Sequence, residues 1–256
     1  MTSPALDVAA TLSDWIRQAR RICVLTGAGM SAESGVPTFR GAHDSLWSRF
    51  DPQRLATAEA WRADSALVWG WYRWRMARVR RAEPNAGHHA LAALTRLHGD
   101  LALVTQNVDD LHERAGSTVE AHVHGSLFAL RCFDCAQPYE GEWQDCDPDT
   151  PRLRLPPPVC TACGGQVRPG VVWFGEALPA DAWNRAEQAT LRCELMLVVG
   201  TSGLVHPAAG LPGLAQRHGA RVAEINPEPT ALSPSMDLAW RANAAEALPE
   251  LLRRMA

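Results

Sequence analysis

Short runs of apolar, often β-branched residues alternate along this chain with stretches whose apolar positions recur at helical spacing. The runs at 21–26, 101–105, 119–123, 194–200 and 221–226 are short and almost uniformly apolar, which predicts strands buried on both faces. Between them, helices fit residues 7–20, 86–98, 207–218 and 244–254. Gly99 and Gly219 follow two of these, where a left-handed terminating residue is wanted, and Pro207 suits a first helical turn. Alternation of this kind predicts an α/β fold, a Rossmann-like doubly wound parallel sheet.

Two stretches break the alternation. Residues 44–83 are rich in Trp, Arg and Ala without a strand signal, and predict a helical insertion. Residues 126–170 carry cysteine pairs, three consecutive prolines at 156–158 and scattered acids, and predict a metal-bound insertion. The expected organisation is a sheet domain formed by 1–43, 84–125 and 171–256, with a smaller helical (44–83) and zinc-binding (126–170) part inserted. No internal repeat is present.

Composition narrows the classes. With 256 residues, 46% apolar and 21% charged, the chain fits one globular domain with an insertion. A formal net charge of −3 gives no reason to expect nucleic acid or an anionic membrane as partner. No apolar run approaches the roughly 20 residues of a membrane span. No basic residue precedes Arg17 and no apolar leader core is visible, so a cytoplasmic protein is expected. All 25 basic residues are arginine. The absence of lysine excludes a Walker-type phosphate loop, Schiff-base catalysis and Ser-x-x-Lys acyl-enzymes, because a permanently protonated guanidinium replaces none of these amines.

Four of the seven cysteines form two CxxC pairs, Cys132 with Cys135 and Cys160 with Cys163, separated by 24 residues. In a cytosolic chain this spacing reads as metal. Four thiolates complete a tetrahedral zinc and leave no position for water, so the ion is expected to be structural. Cys146 lies between the pairs as an alternative ligand, whereas Cys23 and Cys193 lie in or beside strands as small core residues.

The first strand runs into Gly27-Ala28-Gly29-Met30-Ser31-Ala32-Glu33-Ser34-Gly35. Glycines after a strand let backbone amides approach a phosphate, and they equally suit a tight turn. The segment continues into Val36-Pro37-Thr38-Phe39-Arg40-Gly41, which an ordinary dehydrogenase turn does not. Further blocks follow: Thr105-Gln106-Asn107-Val108-Asp109, Leu111-His112, Ala115-Gly116, His124-Gly125, the cysteine pairs, Val171-Val172-Trp173-Phe174-Gly175-Glu176, Gly200-Thr201-Ser202 and Ile225-Asn226. Taken in this order, they resemble the sirtuins, NAD-dependent protein-lysine deacylases, over roughly residues 15–250.

The resemblance implies attack of an acyl-lysine carbonyl oxygen on C1′ of the nicotinamide ribose, release of nicotinamide, and departure of the acyl group on ADP-ribose. It implies that His124 is the general base, ranked above the nearby His122, with Asn107 as its catalytic companion. A histidine suits proton transfer at neutral pH. The residues implied for NAD are Gly27, Ala28, Gly29, Met30, Glu33, Thr38, Phe39, Arg40, Gln106, Asn107, Val108 and Asp109. Gly200, Thr201, Ser202, Asn226 and Ala244 are implied for its far half. Val171, Val172, Trp173 and Phe174 correspond to a substrate strand that pairs with an extended peptide.

Trp71-Tyr72-Arg73-Trp74-Arg75 places Tyr72 and Arg75 three apart, on one face if helical. A Tyr-x-x-Arg pair here resembles the sirtuin subclass that removes succinyl, malonyl or glutaryl groups, since a guanidinium grips a distal carboxylate bidentately. Glu83-Pro84-Asn85-Ala86-Gly87-His88 downstream fixes the register. Thr38 stands where deacetylase-type members commonly have an acid.

The expected activity is removal of succinyl or malonyl groups, and more weakly acetyl, by a monomer acting on acylated-lysine proteins or peptides. A plain deacetylase and a mono-ADP-ribosyltransferase are the alternatives. A nucleic-acid zinc ribbon is disfavoured because residues 132–149 hold six acids and no arginine. Nothing supplies a hydride site for a dehydrogenase.

Overall fold

A computed structural model describes residues 7–36, 51–143, 146–150 and 152–255. Helix α1 (Val8–Gln18) starts on Asp7, whose side chain accepts from the Ala10 amide, and leads into β1 (Ile22–Thr26). After the short α2 (Gly29–Ala32) come α3 (Pro52–Leu55), α4 (Ala58–Ala63), α5 (Ser65–Arg81) and α6 (Ala86–His98). The chain continues through β2 (Leu101–Thr105), α7 (Leu111–Arg114), β3 (Ala121–His122), β4 (Gly125–Cys132) and β5 (Val167–Val171). It closes with α8 (Ala180–Arg192), β6 (Leu195–Val199), α9 (Leu211–Arg217), β7 (Arg221–Ile225), β8 (Leu238–Trp240) and α10 (Ala244–Met255).

The main sheet runs β3-β2-β1-β6-β7-β8, and every pairing in it is parallel. With the two strands of the small sheet set aside, this is the 3-2-1-4-5-6 order of dinucleotide folds, and the strand order reverses between β1 and β6. All five β1 residues are buried, and alternate ones serve opposite cores. Ile22 and Val24 pack with α1, α6 and α10, whereas Cys23 and Leu25 pack on the face covered by α8 and α9. Cys193 joins Cys23 in that second core.

The remaining elements share a third core. Leu55, Trp61, Trp69, Trp71 and Tyr72 from the helical stretch pack with Leu127, Cys132, Val167 and Trp173 around the antiparallel β4–β5 pair. The two expected excursions thus fold against each other. Helix α5 is buried on nearly all sides, including Val68, Trp69, Trp71, Trp74 and Met76, which accounts for its lack of a clean polar stripe. Four of its five arginines lie against rings: Arg75 over Trp71, Arg78 over Trp74, and Arg73 and Arg80 both over Trp143, at 3.8 and 4.3 Å from the ring centroid.

Several elements depart from the sequence expectation. Residues 207–218 form a 3-10 turn (Ala208–Gly210) followed by α9, because Pro212 has no N–H to continue a helical ladder. Of residues 119–123 only Ala121 and His122 pair as a strand. The β4–β5 pair, α8 and β8 were not anticipated. None of the described helices is long and apolar enough to cross a membrane.

Candidate active site

The carboxyl ends of β1 and β6 meet where the sheet order reverses, the edge at which such folds bind ligands. There the two loops approach closely at glycines: the Gly29 amide donates to Gly200 O at 2.7 Å. A Cβ on Gly27 would lie 2.7 Å from the Thr201 side chain, and one on Gly29 2.7 Å from Gly200 Cα. Gly200 has φ +62°, and its added Cβ would come within 2.5 Å of the Met30 nitrogen. These glycines are therefore required by each other. Gln106 Nε2 donates to Thr201 Oγ1 at 2.9 Å, and Asn226 Nδ2 donates to Thr201 O at 2.9 Å, tying β2 and β7 to the same rim. Ser202 is exposed beside them.

Beneath the rim, Ser31 is the hub. Its Oγ donates to Asp109 Oδ2 at 3.0 Å, accepts from Asn107 Nδ2 at 3.2 Å, and lies 3.5 Å from His88 Nε2. Asp109 Oδ1 accepts from the Leu111 amide, so the carboxylate also starts α7. Burial pushes the Asp109 pKa up, against the lowering effect of these bonds. His88 and His112 stack edge to face at 5.0 Å, and burial holds both neutral, at about 4 and about 3.

Two histidines one residue apart grip successive carbonyls of the Gln106–Asn107 turn. His122 Nδ1 lies 3.2 Å from Asn107 O, and His124 Nδ1 lies 3.2 Å from Gln106 O. A carbonyl only accepts, so His124 carries its proton on Nδ1 and presents a basic Nε2. Burial lowers the His124 pKa, with the Gln106 carbonyl acting in the opposite sense. His122 Nε2 meets Glu113 Oε1 at 2.6 Å; burial acts to lower its pKa, but this pairing outweighs it and the pKa is raised. His124 itself joins the two sheets, and the turn into β4 needs Gly125: φ is +73°, and a Cβ would sit 2.1 Å from Gly170 O.

On α5, Tyr72 is 1% exposed, and its Oη accepts from Trp173 Nε1 at 2.8 Å. Burial pushes the Tyr72 pKa up to about 12, while the Arg75 charge acts to lower it. Arg75 stays partly exposed, yet enough protein surrounds it that desolvation lowers its pKa, opposed by Tyr72 and Asp109. Its guanidinium lies 4.9 Å from the Trp71 ring centroid.

The four CxxC sulfurs lie within 4.8 Å of one another, with Cys132–Cys163 at 3.5 Å and Cys135–Cys160 at 3.7 Å. Tetrahedral zinc at Zn–S distances of about 2.3 Å has sulfur–sulfur edges near ~3.8 Å, so the donor set and spacing fit. Cys146 is not part of the cluster.

Other expected residues sit differently. Thr38, Phe39 and Arg40 lie outside the described residues. Met30 and Ala244 are core residues, so only their main chains are available to a ligand. Ala28 is exposed and Val108 half-buried. Glu33 accepts from the Ala245 amide at 2.9 Å and thereby serves the start of α10. Val171 ends β5, and the amides of Val172, Trp173 and Phe174 donate to His124 O, Glu176 Oε2 and Ala56 O. A peptide pairing here must use carbonyls or displace those bonds. Phe174 is 43% exposed and Trp173 is buried. Ser31, His88 and Glu113 were not anticipated as site residues; the Asn85–His88 capping box was the one local signal for His88.

A Sir2 family model matches residues 27–207. An NAD-dependent protein deacylase from Corynebacterium glutamicum is 51% identical over 243 residues, covering 93% of this chain and 92% of that protein. NAD-dependent protein deacylase 1 from Pseudomonas aeruginosa is 55% identical over 236 residues, covering 92% and 94%. Among solved structures, a Sir2 homologue–NAD complex superposes with a TM-score of 0.87 at 46% identity, over 96% of this chain and 93% of that one. A Sir2 complex with a deacetylated p53 peptide and 3′-O-acetyl ADP ribose gives 0.78 at 28% identity, over 96% and 97%.

Proposed function

This chain belongs to the Sir2 family and is an NAD-dependent protein deacylase, and from that premise we propose that it prefers lysines bearing succinyl or malonyl groups, with acetyl a weaker substrate. The observation that carries the preference is the Tyr72–Arg75 pair: the two stand three positions apart on α5, with the guanidinium over the Trp71 ring at 4.9 Å from its centroid. Such a guanidinium offers parallel donors to the distal carboxylate of a dicarboxylic acyl chain, and the Tyr72 hydroxyl adds a third.

Bound NAD supplies an activated ribose carbon and nicotinamide as its leaving group. The glycine rim of Gly27, Gly29 and Gly200 would receive the pyrophosphate, with Thr201 and Asn226 toward the adenosine. Gln106, Asn107 and Asp109 would hold the nicotinamide and its ribose, kept in place by Ser31. His124 Nε2 would take a proton from a ribose hydroxyl, and its Nδ1–H bond to Gln106 O fixes the tautomer that makes this possible. The four cysteines would hold a structural zinc, whose coordination they complete without a position for water.

The test is direct. The protein, NAD and a panel of succinyl-, malonyl- and acetyl-lysine peptides are incubated, and products are identified by mass spectrometry. Faster removal of the acidic groups supports the preference; equal or slower removal identifies a plain deacetylase. Transfer of ADP-ribose to protein in place of O-acyl-ADP-ribose release would identify a transferase.

A further inference from the structure

We propose that Trp173 is the positioning residue for acyl selectivity, orienting the Tyr72 phenol so that Tyr72 serves an acyl carboxylate only as a donor. Its place in the sequence suggests contact with the peptide, but the side chain is 1% exposed and faces Tyr72 instead. The indole N–H has no accepting capacity and donates to Tyr72 Oη at 2.8 Å. One phenol lone pair is thereby occupied, which directs the O–H hydrogen away from the indole. This is the one side-chain hydrogen bond of Tyr72 among the described residues.

The indole is itself held from several sides. Trp61 packs at 5.5 Å between ring centroids and Phe133 at 6.2 Å. The Arg168 guanidinium lies 3.2 Å from the ring centroid, fixed by Glu176 and by Val171 O. Glu176 also accepts from the Trp173 amide. A ring this constrained cannot turn to follow the phenol, so the phenol follows the ring. An acetyl group carries no distal carboxylate and gains nothing from the arrangement, so the effect is confined to acidic acyl groups. This inference rests on the acidic-acyl reading.

The experiment measures kcat and KM for succinyl- and acetyl-lysine peptides with wild type, Trp173→Phe, Tyr72→Phe, the double variant and Arg75→Met. One neutral hydrogen bond corresponds to about a fivefold change. Trp173→Phe should raise KM for the succinyl peptide about fivefold more than KM for the acetyl peptide, so that the succinyl-to-acetyl ratio of kcat/KM falls by about that factor. Because both changes break one relationship, the double variant should be no worse than Tyr72→Phe. Equal losses on both peptides, or additive losses in the double variant, would overturn the role. If wild type lacks a succinyl preference and Arg75→Met changes nothing, the acyl reading itself has failed; if both hold but Trp173→Phe keeps the preference, only this inference has failed. Should Trp173→Phe not fold, the indole N–H resonance of the wild-type protein is followed by NMR. A shift of that resonance in Tyr72→Phe and on adding succinyl but not acetyl peptide supports the role, and an unmoved resonance overturns it.

Discussion

His124 donates from Nδ1 to the carbonyl of Gln106, the residue immediately before Asn107. Strand end and base are locked together, and burial lowers the pKa of the imidazole. A general base works in its neutral form, and a lowered pKa keeps that form populated as pH falls. The acidic limb of kcat/KM should therefore lie below the ordinary histidine value of 6.5. A limb at or above that value counts against His124 as the base. His124→Gln should reduce turnover by about a hundredfold or more.

Replacing Arg75 with Met removes the proposed carboxylate grip and keeps an apolar stem on Trp71. A charge-assisted bond is worth about 1.5–3 kcal/mol, or roughly ten- to a hundredfold. Desuccinylation should fall by that factor while deacetylation stays within about twofold. Parallel loss of both would remove the selectivity role.

Gly200→Ala tests the glycine rim. An alanine at φ +62° with its Cβ 2.5 Å from the Met30 nitrogen must push the two loops apart. The backbone strain alone is of order 1–2 kcal/mol. The thermal midpoint should fall and the KM for NAD should rise at least about tenfold; an unchanged KM would show that the rim does not receive the dinucleotide.

The buried histidines predict how stability depends on pH. His88 is lowered to about 4, first by burial and then by His89; His112 is lowered to about 3, first by burial and then by His88 and His122. In the unfolded chain both titrate near ~6.5. Between those values the unfolded state binds protons that the native state refuses, so stability is full above about 6.5 and falls as pH drops. Each histidine gives a slope of about 1.4 kcal/mol per pH unit. Urea unfolding between pH 5 and 6.5 should show this slope, and His112→Asn should reduce it by one histidine's share.

Metal content separates the cysteines. Zinc analysis should find one ion per chain in wild type and in Cys146→Ser, but not in Cys160→Ser, which should also unfold at lower temperature. Retention of the ion by Cys160→Ser would reassign the ligand.

How much of this was legible depends on whether the information was local. Helix α6 was found to the residue because Asn85 and His88 close a capping box at its start and Gly99, at φ +79°, stops it. Helix α8 was missed although Ala182, Ala186, Ala189 and Thr190 recur at helical spacing, because these small residues stand in an otherwise polar stretch. Strands β4 and β5 were hidden by Cys, Gly and Pro, which obscure alternation. The glycine turns and the cysteine pairs were readable because their chemistry depends on spacing. The Ser31 hub joins residues 57 and 78 positions away, and the Trp173–Tyr72 bond spans 101, so only the fold brings these partners together.

His124 is also a seam. The preceding residue, Val123, donates its amide to Thr105 O in the main sheet, and the His124 carbonyl accepts from Val172 beyond the small one. One imidazole is thus aimed by main-chain bonds from both halves of the molecule. Cutting the chain between the two sheets would therefore remove main-chain bonds on one side or the other of this residue.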